Sequence, residues 1–188
     1  PLVQEARLLN HKLYAALAYC RANGPNKLII DSPAPRLGIL TAGKSYLDVR
    51  QALDELGIDD ALAAEIGIRL FKVGMVWPLE PEGVRHFAEG LEEILVVEEK
   101  RQLLEYQLKE ELYNWTDSQN RDVRPRIIGK MDNHDKRFLP FAEELSVASL
   151  ASSLTERLLQ LDLNPEIVAM LRAKADAGSA NAKAVLKS

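Results

Sequence analysis

Four short runs, LGILTA (37–42), IRLFKV (68–73), ILVVEE (94–99) and RIIGK (126–130), each hold apolar residues at adjacent positions, and so on both faces of a strand. A strand of that kind is buried on both faces, which is the condition of a parallel sheet covered by helices on each side. The intervening stretches supply those helices. Tyr46 to Leu56 carries Tyr46, Val49, Leu53 and Leu56 on one face, Pro81 to Glu89 presents Val84 and Phe87, and Gln102 to Tyr113 aligns Leu104, Leu108 and Leu112. Gly57 ends the first of these, with Ile58 placed to pack back as in a Schellman motif. The pattern predicts an α/β domain: an open, mainly parallel sheet of four to five strands with helices on both faces and right-handed crossovers.

Helices flank this unit. Ala6, Leu9, Leu13, Ala16 and Cys20 recur at three- and four-residue steps and form one stripe, stopped by Asn23-Gly24-Pro25. Residues 25–36 hold three prolines around Leu28-Ile29-Ile30 and read as a strap into the main domain. After the sheet, Ser146 is placed to cap a helix carrying Val147, Leu150, Leu154 and Leu158. Asn164-Pro165-Glu166 is a second start signal: a cap, a proline at the first helical position and an acid at the positive end of the dipole. The last ten residues are rich in Ala and Lys and are expected to fray. The organisation expected is a helix and linker over 1–35, the α/β domain over 36–135 and a helical extension over 136–188.

Composition limits the function classes. The chain has 188 residues, with 24 Lys and Arg against 28 Asp and Glu. An acidic balance argues against nucleic acid as the main partner. No apolar run approaches the ~18 residues of a membrane helix, so no membrane partner is expected. Glu5, Arg7 and Lys12 interrupt the first helix, which therefore does not read as a signal peptide. Cys20 is the one cysteine, so the chain makes no internal disulfide and alone holds neither a cluster nor a structural zinc. A single thiol suits the reducing cytoplasm. The start at Pro1, without an initiator Met, suggests a piece of a longer protein.

The string GILTAGKS, Gly38 to Ser45, matches the phosphate-binding loop pattern letter for letter. Its context differs. Pro33, Pro35 and Arg36 leave little strand before Gly38, Ile39 and Leu40 read as the strand itself, and Ser45 is explained as a capping-box residue with Asp48. Gly43 is expected at a turn that needs its conformational freedom, and Lys44 as a solvated charge projecting from it. Gly43, Lys44 and Ser45 still lie at a strand's carboxyl end and a helix N-terminus, where an anion is favoured. The loops GMVWPLEP and EEKRQ, with Lys100 and Arg101, share that edge. These residues form a candidate anion or interdomain edge, set against a reading as solvated loop and helix cap.

Other candidates are weaker. Glu98 and Glu99 end a strand beside Lys100 and Arg101, where carboxylates cap and pair locally. His134 in MDNHDKR lacks regular ligand spacing, and His11 and His86 lie within helices without a nucleophile beside them. Residues 80–112 carry ten acids against four bases, whereas 121–137 carry six bases against three acids. Solvated helix faces account for such asymmetry, although a basic loop can also dock an acidic partner.

The stretches LGILTAGKSYLDVRQALDELGID, IRLFKVGMVWPLEPEGVRHFAEGLEEILVVEEKRQLLEYQLKEEL and RPRIIGKMD resemble one region of indolepyruvate ferredoxin oxidoreductase, closest to the bacterial form with fused subunits. The lead-in NHKLYAALAYCRANGPNKLIIDSP is similar to the same proteins. This resemblance implies a transketolase C-terminal-like fold beside the thiamine-binding domains. It also implies a parent enzyme that uses thiamine diphosphate and a divalent metal to decarboxylate an aryl 2-oxoacid, transfers the acyl unit to coenzyme A, and passes electrons through 4Fe-4S clusters to ferredoxin. The chain departs from the full family pattern, having no G-D-G…N diphosphate motif and no cysteine cluster. Fold and parent activity are therefore carried over, and no catalytic, cofactor-binding or metal residue. The expectation is a non-catalytic structural and interaction domain, inactive alone, whose partners are the other domains of the same oxidoreductase. The alternatives are a nucleotide-binding protein using Lys44 and a module for coenzyme A or another anion at the sheet's carboxyl edge.

Overall fold

The computed structural model describes residues 1–116, 122–142 and 144–185, the last seven of these by their backbone only. Five strands, β1 (Lys27–Ile30), β2 (Leu37–Ala42), β3 (Ile68–Val73), β4 (Glu93–Val97) and β5 (Arg126–Ile128), form one sheet in the order β1-β3-β2-β4-β5. β2 runs parallel to both β3 and β4, and β4 parallel to β5. The expected sheet, open and mainly parallel, is present. One expectation changes. Residues 25–36, read as a strap, contain β1, which pairs antiparallel with β3 from Lys27 opposite Lys72. Proline forbids only its own position in a ladder. Pro25, Pro33 and Pro35 all lie outside Lys27–Ile30, so that run is free to cover the exposed edge of β3.

The helices are α1 (Leu2–Arg7), continued through a π-helical turn at Leu8–Lys12 into α2 (Leu13–Asn23), then α3 (Gly43–Glu55), α4 (Asp60–Glu65), α5 (Pro81–Ala88), α6 (Leu104–Leu112), α7 (Val147–Leu158) and α8 (Pro165–Val185). Successive residues of β2 serve opposite faces. Ile39 packs with Val49 and Leu53 of α3 and Leu150 and Leu154 of α7. Leu40 packs with Val84 and Phe87 of α5 and Leu108 of α6. Both are fully buried, which is why the run lacks alternation. Gly38 belongs to the second face. A Cβ there would lie 2.5 Å from Leu91 Cδ1 and 2.7 Å from Phe87 Cζ, so only glycine lets that layer approach the strand.

Several local signals act as read. Gly57 has φ +76° and the Ile58 N–H donates to the Leu53 carbonyl at 2.9 Å, closing the Schellman motif. Ser146 Oγ accepts from Ser149 N and Asn164 Oδ1 from Glu166 N. α4 was not foreseen, although its cap, Asp59 accepting from Leu62 N at 2.8 Å, is of an ordinary kind. MDNHDKR forms a turn in which Asp132 accepts from the His134 and Lys136 N–H groups. The fraying expected at the C-terminus falls partly on residues 186–188, outside the described residues; the backbone is helical to Val185.

The C-terminal helices are not peripheral. Leu150, Leu154, Leu158 and Leu171 are fully buried in the same cluster as Ile39 and Leu95. Arg157 of α7 donates through Nε and Nη2 to both carboxylate oxygens of Glu93, at 2.7 and 2.5 Å, and both side chains are buried. Among the described residues no helix is long and apolar enough to cross a membrane.

The first helix is anchored through one buried carboxylate. Glu80 caps α5 by accepting from Glu82 N and Gly83 N, and also accepts from Arg21 Nε at 2.8 Å. Burial pushes its carboxyl up, but the guanidinium and the two N–H groups outweigh this and hold it below its ordinary value of 4.5. A carboxyl depressed on folding contributes stability above its unfolded value, and loses it as pH falls through the folded one. Glu80→Gln should therefore be less stable than the parent at pH 7, with the gap closing as pH falls below 4.5. Urea unfolding of both proteins across that range checks this; an unchanged gap would contradict it.

Candidate functional site

In this strand order the chain leaves β2 toward one face of the sheet, through α3, and leaves β4 toward the other, through α6. The crevice between the carboxyl ends of β2 and β4 is thus the topological switch point, where open α/β sheets receive ligands. Gly43, Lys44 and Ser45 lie on its β2 side. Lys100 and Arg101 lie on its β4 side.

Gly43 opens α3 with φ +55°, and a Cβ built there would meet nothing within 4 Å. The expected constraint is thus one of backbone alone. Gly43→Ala should cost about 1–2 kcal/mol, the penalty of a left-handed L-residue, and Gly43→Asn less; thermal unfolding of both variants tests the ranking. Ser45 does not act as the expected cap. The N-cap is Ala42, no side chain caps α3, and Ser45 is buried three residues past the cap position, too far into the helix to serve.

Lys44 is not a free charge. Its Nζ donates to Asp48 Oδ2 at 2.9 Å and to Glu99 Oε1 at 3.3 Å, and lies 3.8 Å from Glu144 Oε1. These hydrogen bonds, that to Asp48 first, raise its ammonium above the ordinary lysine range although the side chain stays half exposed. The Glu99 bond spans the crevice from the β2 side to the β4 side. Lys100 and Arg101 are exposed and form no ion pair among the described residues, and Lys100 holds φ +57° in the turn. The carboxylates that meet Lys44 were not foreseen as its partners. The four-residue step from Lys44 to Asp48 was legible as a helical pair; Glu99 and Glu144 arrive only through the fold.

The neighbouring strand ends are equally committed. Glu98 is buried and accepts from the N–H groups of Leu103, Leu104 and Glu105, capping α6. The fully buried Lys130 follows β5, its Nζ donating to the Glu98 carbonyl at 2.5 Å and the Pro140 carbonyl at 2.7 Å. Burial lowers its ammonium below the ordinary lysine value, against the pull of the Glu98, Glu105 and Glu99 carboxylates. The same carboxyl edge carries an apolar rim. Leu47 on α3, Val76 and Trp77 after β3, and Leu103 after β4 are exposed, Trp77 by 52%. Gln107 ties two parts of the rim together, donating to the carbonyls of both Val76 and Leu103.

The phosphate-loop match fails on position. Gly38 is inside β2, flanked by paired residues, so Gly38 to Ala42 is strand and not a ring of N–H donors. Among the described residues no group of three or more His, Cys, Asp or Glu side chains could hold a metal.

The model of the indolepyruvate ferredoxin oxidoreductase middle domain matches residues 26–187. This chain belongs to that middle-domain family. Among curated relatives, the indolepyruvate oxidoreductase subunit IorA of Thermococcus kodakarensis is 32% identical over 92 residues, 49% of this chain and 13% of the relative. The same subunit of Methanothermobacter marburgensis is 28% identical over 130 residues, 69% of this chain and 19% of the relative. The matched stretches thus cover under a fifth of each of these relatives. Two solved structures are similar to it at 15% identity. They are a 2-oxoglutarate:ferredoxin oxidoreductase from Magnetococcus marinus (TM-score 0.47, 71% of this chain and 19% of that one) and an inactive split-gene transketolase tetramer (TM-score 0.48, 73% and 42%).

Proposed function

We propose that this middle domain is a non-catalytic structural and interaction module of a thiamine diphosphate-dependent, cytoplasmic indolepyruvate:ferredoxin oxidoreductase. The parent enzyme would oxidatively decarboxylate aryl 2-oxoacids to acyl-coenzyme A and hand electrons to ferredoxin. One observation carries the non-catalytic reading. At the switch point, where an α/β domain would bind substrate, the chain's own groups are spent on its fold: Lys44 bridges Asp48 and Glu99, Glu98 caps α6, and Lys130 holds two carbonyls. What faces outward is the apolar rim of Leu47, Val76, Trp77 and Leu103, a surface suited to another protein domain.

The donor set does not fit the parent's inorganic cofactors. A 4Fe-4S cluster needs four thiolates, and this sequence has one cysteine, Cys20, buried in α2 with its thiol pushed up by burial. Thiamine diphosphate, its divalent metal and the clusters belong, in this reading, to other domains, as do the contacts to coenzyme A and ferredoxin. The purified chain, given indolepyruvate, coenzyme A and thiamine diphosphate, should fold and reduce no viologen. Turnover by the chain alone would overturn the reading. Calorimetry with Mg-ATP, Mg-GTP and coenzyme A should show no saturable heat. Micromolar binding abolished by Lys44→Ala would instead favour an anion site at this edge.

A further inference from the structure

The first helix does more than lead into the sheet. Residues 2–23 form one continuous rod through α1, the π turn and α2, about 33 Å long at 1.5 Å per residue. Only its second half touches the body: Cys20 is buried, and Leu13, Ala16 and Leu17 are partly covered. Every residue from Pro1 to Lys12 is exposed, including Leu2 at 80%, Val3 at 82% and Leu9 at 50%. The π turn lies where the rod leaves the body. A free helical arm of roughly a dozen residues is marginal in water, and one that displays four large apolar side chains to solvent has a further reason to find a cover.

Two observations say what kind of cover. The family match begins at residue 26, so the whole rod lies outside the middle domain proper, and the stretches matched to the curated relatives cover under a fifth of each. The rod is also basic. Arg21 is spent on Glu80, but over residues 2–12 Arg7 and Lys12 stand against Glu5 alone, in a chain whose formal net charge is −4.

We infer that residues 2–12 are a docking arm, seated in an apolar groove with an acidic rim on another domain of the same polypeptide, one preceding the middle domain. Leu2, Val3, Leu8 and Leu9 enter the groove, and Arg7 and Lys12 meet its carboxylates. The inference rests on the reading of this chain as one domain of a larger oxidoreductase.

Hydrogen exchange on the intact polypeptide, on the 188-residue chain and on a synthetic peptide of residues 1–23 tests it. Amides of residues 2–12 should exchange in the 188-residue chain within about tenfold of the peptide. In the intact polypeptide they should exchange at least a hundredfold slower. The double variant Leu2→Asp/Leu9→Asp in the intact polypeptide should lose that protection, while amides of β2 and β4 keep theirs and show that the sheet remains folded. Equal exchange in chain and intact polypeptide would overturn the inference, as would protection that survives the double variant. Protection that appears in the 188-residue chain with rising concentration, alongside a dimer in sedimentation, would also overturn it by making a second copy the occupant. Indolepyruvate-dependent viologen reduction by the same intact preparation is read in parallel. Its absence counts against the oxidoreductase reading, whereas arm exchange counts for or against the arm alone.

Discussion

Glu93→Ala should lower the unfolding free energy by roughly 3–5 kcal/mol, the penalty for breaking a buried ion pair from one side. Glu93 begins β4 and Arg157 lies near the end of α7, and both are buried. Removing the carboxylate strands the guanidinium in the core, facing Phe138 with Nε and Nη2 left without their acceptors. Arg157→Met should cost less, because Arg126 Nη2 lies 3.6 Å from Glu93 and gives the surviving carboxylate a second cation. The double variant Glu93→Leu/Arg157→Met removes both charges together and should recover most of the loss. Urea unfolding of the parent, Glu93→Leu, Arg157→Met and the double variant gives the coupling directly. An additive double variant would mean that the pair does not pin α7 to the sheet.

Lys130→Ala is the second large effect, about 2–4 kcal/mol from an emptied buried site plus two carbonyls left without donors. The lysine is fully buried at the end of β5 and joins the Glu98 carbonyl to that of Pro140, tying the β4 edge to the segment that leads into α7. Lys130→Met keeps most of the volume and removes the desolvated charge, so it should cost distinctly less than alanine. The sign of the pH effect is fixed by the direction of the shift. A lysine whose folded value is depressed binds fewer protons folded than unfolded between that value and its ordinary 10.5, so its contribution to stability rises with pH across that window. The gap between parent and Lys130→Met should therefore move in the parent's favour as pH approaches 10.5 from below. A pH-independent gap would remove the charge from the account.

The strands and crossover helices were legible because they are written locally. Consecutive apolar residues in β2, β3 and β4, three- and four-residue periodicity in α3, α5 and α6, and the caps at Gly57, Ser146 and Asn164 each need only their neighbours to be read. Resemblance added the family, which no periodicity contains. The candidate edge was half legible. That Gly43, Lys44, Ser45, Lys100 and Arg101 share one edge follows from parallel topology alone. The partners of Lys44 could not be read, because Glu99 is 55 residues away and Glu144 stands on a segment with no pattern of its own.

β1 was missed because an edge strand of four residues between prolines is specified by the vacant ladder of β3, and not by its own pattern. Lys130 and Arg157 read in one dimension as surface cations, since charge favours water until a chain supplies carbonyls or a carboxylate that water would otherwise provide. Glu98 likewise reads as a strand-end acid until α6 turns three N–H groups toward it. Local pattern therefore determined which elements form and which edge faces outward. Only tertiary packing decided which charges are buried and whom they meet, because the energy of a buried charge depends on groups far away in the chain.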